Sequence, residues 1–259
     1  MTHPMPEISA LLKRLRLHHI NEYVAQRNRE AIEKQLTYPE FLTLLLQDEI
    51  IARDNRQLAI RLKRSGLQAN KTLENFNFSF NPKINRTQII DLASGGFIYE
   101  KVPILIAGPT GTGKSHLAQA LGHCIIRQGL EVIWVTQSRL LNELHKARVV
   151  GQYEKKLMAL TRVPLLIIDD FGLQPMRSPQ DEDFHRLIAE RYERASTLVT
   201  SNLAWSEWGE AFPNQLLAAA TLDRLRDQAY RIVLDGDSYR RSRDQTPNPN
   251  PNPKANRQS

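Results

Sequence analysis

The stretch Gly108-Pro109-Thr110-Gly111-Thr112-Gly113-Lys114-Ser115 limits what this chain can fold into more than any other part of it. It matches the phosphate-loop pattern G-x-x-x-x-G-K-[ST] at every fixed position. The flanks fit the motif. Residues 102–107 form a short apolar run suited to a buried strand, and residues 116–128 read as a helix. A strand leading through a glycine-rich turn into a helix aims backbone N–H groups at an anion. In that setting the glycines let the main chain approach phosphates and Lys114 reaches the β and γ phosphates. The Ser115 hydroxyl is placed to ligate Mg²⁺. The loop therefore predicts a bound nucleoside triphosphate.

Around this loop the residues alternate between strand and helix signals, which predicts a parallel α/β sheet with helices on both faces. Strands are expected at 102–107, 131–136, 163–168, 195–201 and 230–234, with helices at 138–147 and 153–161. A further helix is expected to open at Ser178-Pro179, with Ser178 as its cap. The chain before residue 83 reads differently. Ile8, Leu11, Leu12 and Leu15 recur at amphipathic-helix spacing. A second helix is expected from a capping box at Thr37 and Glu40 to the stop at Ser65-Gly66, with Phe41, Leu44, Leu45 and Ile51 facing inward. A short helix is expected at 87–93, ended by Gly95-Gly96. These signals divide the chain into a helical domain at 1–66, a linker at 67–82, a nucleotide-binding domain at 83–244 and a polar Asn-Pro tail at 245–259 whose composition predicts disorder. In the linker Leu73, Phe76, Phe78 and Phe80 alternate with polar residues, which predicts that part of it packs as an extended segment on the next domain.

Charge adds a hint about partners. The net charge is +7, and it is concentrated at the ends: residues 1–75 carry 12 basic and 9 acidic side chains, residues 222–259 carry 8 and 5, and the middle carries 15 and 14. Arg53, Arg56, Arg61, Lys63 and Arg64 in the second helix, and Arg240, Arg241 and Arg243 near the end, are either solvated faces or surfaces for phosphate backbone or an acidic protein. A lone cysteine, Cys124, excludes an intrachain disulfide and fits a reducing cytoplasm with a buried, inert thiol. No secretory signal or bilayer-spanning apolar run is present, so the expected location is cytoplasmic, with no membrane partner. The seven histidines show no metal-ligand spacing.

Four further positions carry candidate chemistry. Asp169 closes an apolar strand about fifty residues beyond the loop, where a carboxylate can share Mg²⁺ with Ser115. Asp170 follows it, placed to polarise an attacking water. Asn202 ends the fourth strand, where an amide can bond the γ-phosphate or the lytic water. Arg224, within Asp223-Arg224-Leu225-Arg226, can reach across a subunit interface as an arginine finger. Each residue alone also fits an ordinary loop acid, turn amide or exposed arginine.

Read together, GPTGTGKSHLA, LLIIDDFGL, ERYERASTLVTSN, SEWGEAF and LDRLRDQAYRIVLDGDSYR, in this order, resemble the IstB family. This is a group of insertion-sequence helper proteins in the AAA+ clade that also holds the DnaC helicase loader. LLKRLRL, YPEFLTLLLQDEIIARDNRQ and KTLENFNF are similar to IstB more than to DnaC, so the resemblance covers roughly residues 8–243. It implies an ASCE-type P-loop fold, a five-stranded parallel sheet with flanking helices, behind a small helical domain. It also implies a Mg²⁺-dependent ATPase that oligomerises on double-stranded DNA and assists a partner transposase in target capture. By position, residues Gly108 to Ser115 hold ATP, Ser115 and Asp169 hold Mg²⁺, Asp170 is the hydrolytic acid, Asn202 the sensor and Arg224 the finger. Many AAA+ proteins carry Glu where Asp170 stands, a departure that several IstB-like sequences share. A carboxylate one methylene shorter implies slower hydrolysis or altered geometry. Two other readings use the same loop: a DnaC-like helicase loader, and a small-molecule kinase, which the acid pair and late arginine disfavour.

Overall fold

A computed structural model describes residues 6–81 and 84–236, and the description falls into two compact units that divide between Arg61 and Leu62. Arg240, Arg241, Arg243 and the Asn-Pro tail lie outside the described residues. In the first unit α1 (Pro6–Arg14) and α2 (His18–Glu33) precede α3 (Tyr38–Ser65), a 28-residue helix about 42 Å long. The α3 start is half of the expected capping box. Glu40 Oε2 accepts the Thr37 backbone N–H at 2.8 Å, while the Thr37 hydroxyl also donates to that oxygen at 2.7 Å. The single long helix expected to follow the first is preceded by a separate one, α2, whose N-cap Leu17 has no side-chain acceptor. Glu49 of α3 takes that part. Its Oε2 accepts the His19 and Ile20 N–H groups at 3.0 and 3.1 Å, and its Oε1 pairs with Arg53 at 2.9 Å.

The inward faces expected for the first helices are only partly realised. Leu45 is buried, but Ile8, Leu11, Leu15 and Ile51 are exposed, and Ile20 and Leu45 are the buried apolar side chains described in this unit. Periodicity marks a stripe without saying what covers it, and three helices of this length enclose little apolar volume.

In the second unit five strands form one parallel sheet in the order β2-β3-β4-β1-β5. They are β1 (Ile104–Ala107), β2 (Val132–Thr136), β3 (Leu165–Phe171), β4 (Ser196–Ser201) and β5 (Tyr230–Val233). Their unbroken apolar runs, Ile104 to Ala107 and Leu165 to Ile168, fit strands covered on both faces. The helices are α4 (Arg86–Ala93), α5 (Gly96–Glu100), α6 (Lys114–Arg127), α7 (Gln137–Val149), α8 (Tyr153–Arg162), α9 (Gln180–Arg191) and α10 (Gln215–Arg226). The Gly95-Gly96 stop turns directly into α5. Ser178 does not cap α9: the chain enters through a turn in which Gln180 Oε1 accepts the Arg177 N–H at 3.0 Å, and the helix begins at Gln180. Arg191 is fully buried, where its guanidinium donates to the carbonyls of Leu160 (2.6 Å), Val163 (2.9 Å) and Ser196, tying the end of α8 to the starts of β3 and β4.

No helix among the described residues is long and apolar enough to cross a membrane. Replacing Glu49 with Ala leaves the first turn of α2 without its acceptor. The expected loss is about 1–3 kcal/mol in the helical unit, read as a lower midpoint in urea unfolding followed by circular dichroism.

Candidate functional site

All five strands run the same way, so the turns that leave their carboxyl ends gather at one edge of the sheet. The loop at Gly108–Ser115 leaves β1 there, and its backbone requires glycine. Gly108 has φ +151°, and a Cβ on it would lie 1.9 Å from Leu234 O. Gly113 has φ +98°, and its missing side chain makes room for the Phe76 ring, 3.2 Å from where a Cβ would stand. Within the loop, Pro109 O accepts from Thr112 Oγ1 at 2.9 Å and from Lys114 Nζ at 2.7 Å. Leu117 N–H closes the first turn of α6 on Gly113 O at 2.9 Å. An α-helix leaves the N–H groups of its first turn without an intrahelical acceptor, and here that turn directly follows the loop.

The acid pair sits two strands away. β3 does not stop at Asp169, as its apolar run suggests, but continues to Phe171 through a bulge. Ile168 pairs with Val199 and Phe171 with Ser201, so Asp169 and Asp170 together face the single residue Thr200. Thr200 Oγ1 closes the bulge, accepting the Asp170 N–H at 3.2 Å and donating to Asp169 Oδ1. Asp170 takes a left-handed φ of +57°, which for an aspartate is tolerated and re-aims the side chain. Asp170 lines a cavity of about 140 Å³ with Thr136, Gln137, Ser138 and Gln174. Asp169 is 2% exposed, and its carboxylate also accepts Ser115 Oγ at 2.9 Å and Trp134 Nε1 at 3.2 Å. The hydroxyl and carboxylate chosen from the sequence as a metal pair are therefore in direct contact. Such hard oxygen donors suit Mg²⁺.

β4 lies between β1 and β3, which puts Asn202, one residue past its end, between the loop strand and the acid strand. Gly108 N–H donates to Ser201 O at 3.2 Å beside it. Arg224 is elsewhere. It lies on α10 just before β5, and Tyr230 at the start of β5 pairs with Ile104 at the start of β1, so Arg224 belongs to the amino-terminal edge of the sheet. There it donates to Ala220 O at 2.7 Å and lines a cavity of about 330 Å³ with Lys101, Tyr192 and Asp227. Arg226 is held by Trp205 O. The structure thus gathers Lys114, Ser115, Asp169, Asp170 and Asn202 at one edge and leaves Arg224 at the other.

The segment after α3 packs on the domain that follows it. Gln68 N–H donates to Gln119 Oε1 at 2.9 Å, Gln68 O bonds His123 Nε2 at 2.9 Å, and Thr72 O bonds His116 Nε2 at 3.0 Å. Phe76 meets the His116 ring edge-on at 5.3 Å between centroids. Residues 67–76 therefore lie along α6 up to the loop. Burial holds the His116 imidazole below its ordinary pKa, and burial pushes the half-buried Cys124 thiol up. The alternation of Leu73, Phe76, Phe78 and Phe80 with polar residues is the sequence signal for this packing, though it does not identify α6 as the surface they meet.

A family model described as IstB-like ATP binding protein matches residues 10–246. The chain belongs to the IstB-like ATP-binding protein family. An insertion-sequence IS21 protein of Pseudomonas aeruginosa, named for ATP binding, is 38% identical over 236 residues, 91% of this chain and 89% of that one. A similarly named IS5376 protein of Geobacillus stearothermophilus is 37% identical over 79% of this chain and 82% of its own. Among solved structures, DnaA bound to AMPPCP and single-stranded DNA superposes with a TM-score of 0.56 at 22% identity, covering 66% of this chain and 52% of DnaA. The DnaC helicase loader gives 0.54 at 17% identity, over 64% and 97%. The IstB-like chain therefore has the AAA+ fold seen in DnaA and DnaC.

In this IstB-like fold Thr200 holds both members of the acid pair. Thr200→Val removes its donor and acceptor together and is expected to lower stability by about 1–3 kcal/mol, whereas Thr200→Ser stays close to wild type. Thermal unfolding of the two variants checks this.

Proposed function

We propose that this protein is a Mg²⁺-dependent ATPase that oligomerises on double-stranded DNA and helps a partner transposase capture its target, with residues 1–66 as a separate helical domain. The observation that carries the reading is the placement of Arg224 at the sheet edge opposite Lys114. An arginine that cannot serve its own loop is suited to a neighbouring copy's γ-phosphate. The insertion-sequence relatives support the transposition setting. Exposed Arg53 and Arg56 lie about one turn apart on α3, which supports phosphate-backbone contact with little sequence preference.

At the site, backbone N–H groups of the loop and first turn of α6 hold the phosphates, and Lys114 neutralises their charge. The Ser115 hydroxyl and the Asp169 carboxylate would hold Mg²⁺, which would supply positive charge to offset that of the phosphates. Ser115, Thr200 and Trp134 all donate to that carboxylate and fix where it would meet the ion. Asp170 orients and polarises the attacking water, and Asn202 bonds the γ-phosphate or that water.

Three variants test these roles. Lys114→Ala is expected to abolish ATP-dependent assembly in sedimentation, and assembly unchanged by the substitution overturns the mechanism. Asp170→Asn and Arg224→Ala are expected to keep ATP binding and lose turnover, the latter by roughly 10³-fold or more at concentrations where the wild type assembles. Full turnover in Arg224→Ala moves the finger to another residue. For the DNA partner, filter binding with and without ATP should give an affinity that falls linearly with salt on logarithmic axes. Affinity indifferent to both salt and nucleotide rejects the reading. A pull-down that returns a replicative helicase in place of a transposase favours a loader instead.

A further inference from the structure

We propose that Trp134 is a positioning residue for the Asp169 carboxylate, so that a strand tryptophan sets how well the site takes up its metal. The inference rests on the metal reading given above. Three groups donate to Asp169. Ser115 Oγ and Thr200 Oγ1 both bond Oδ1, while Trp134 Nε1 bonds Oδ2 at 3.2 Å. The two hydroxyls can rotate and can also accept, so neither alone fixes the carboxylate. An indole N–H only donates, and it sits on a rigid ring.

The sheet register makes this contact reachable. Trp134 pairs with Ile167 and Thr136 with Asp169, so Trp134 and Asp169 are diagonal neighbours on one face of the sheet. That distance is spanned by a large aromatic side chain. Gly66, at φ +76° just past the end of α3, lies so close that a Cβ there would stand 3.0 Å from Trp134 O and 3.8 Å from its Cε3. The chain leaving α3 thus runs close to the Trp134 main chain and one edge of its ring. Without its N–H, Oδ2 of a carboxylate that is 2% exposed loses a donor, and the broad terminal torsion of aspartate lets the group turn. Groups that orient a metal ligand in this manner affect metal affinity by about 10–100-fold.

The experiment is Mg²⁺ titration of the binding of a fluorescent ATP analogue to full-length wild type and Trp134→Phe. The half-saturating Mg²⁺ concentration is expected to rise about 10-fold in the variant, with analogue binding in EDTA unchanged. A merely structural tryptophan would lower both or neither. A variant with wild-type melting and wild-type Mg²⁺ dependence overturns the proposal. Wild-type binding that is itself indifferent to Mg²⁺ overturns the metal reading, and the proposal with it. Should Trp134→Phe fail to fold, the indole ¹⁵N–¹H spectrum of the wild type carries the test. The chain has three tryptophans, and one indole signal is expected to shift when Mg²⁺ is added to the nucleotide-loaded protein. If none of the three moves while binding remains Mg²⁺-dependent, Trp134 has no such role.

Discussion

Everything at the candidate site depends on β4 being threaded between β1 and β3. That one pairing carries the loop strand and the acid strand to either side of Thr200, Ser201 and Asn202. Ser201 O then receives the Gly108 N–H, and Thr200 reaches both aspartates. A parallel sheet is a set of long-range contacts, so residues nearly a hundred positions apart become neighbours only once it forms. The close approach of Gly108 to Leu234 O extends the same constraint to β5, because any side chain at residue 108 would collide with a main-chain carbonyl.

The acid pair shows how one backbone irregularity separates two like groups. Had β3 remained regular, Asp169 and Asp170 would simply have pointed to opposite faces of the sheet. The bulge instead gives both residues to one partner, Thr200, burying Asp169 among three donors and leaving Asp170 in the lining of a small cavity. Two adjacent carboxylates thereby acquire unlike surroundings, the usual physical basis for unlike duties.

Much of this was legible in the residues. Local signals carry the strands, because a buried parallel strand is a run of apolar residues bounded by turns, and the loop and Asp169 follow from motif and spacing. What escaped was whatever depends on contact between distant segments. The bulge needs β4 to exist before it has meaning. Trp134 reads as one more aromatic in a strand until the register sets it beside Asp169. Arg191 reads as a helix-end cation, yet it is buried against carbonyls from three places in the chain. The apolar stripe of α1 was readable as a stripe, but its exposure reflects the absence of a covering surface among the described residues, a property no periodicity contains.

The distance between Lys114 and Arg224 has a geometric corollary. On the proposed reading the surface that gives the arginine and the surface that receives it are different, so copies join head to tail and every assembly has a direction. An open row of such copies always ends in one phosphate loop that no arginine reaches, while a closed ring has none. The terminal copy of a row would then keep its nucleotide longest, and growth and loss would occur at chemically distinct ends.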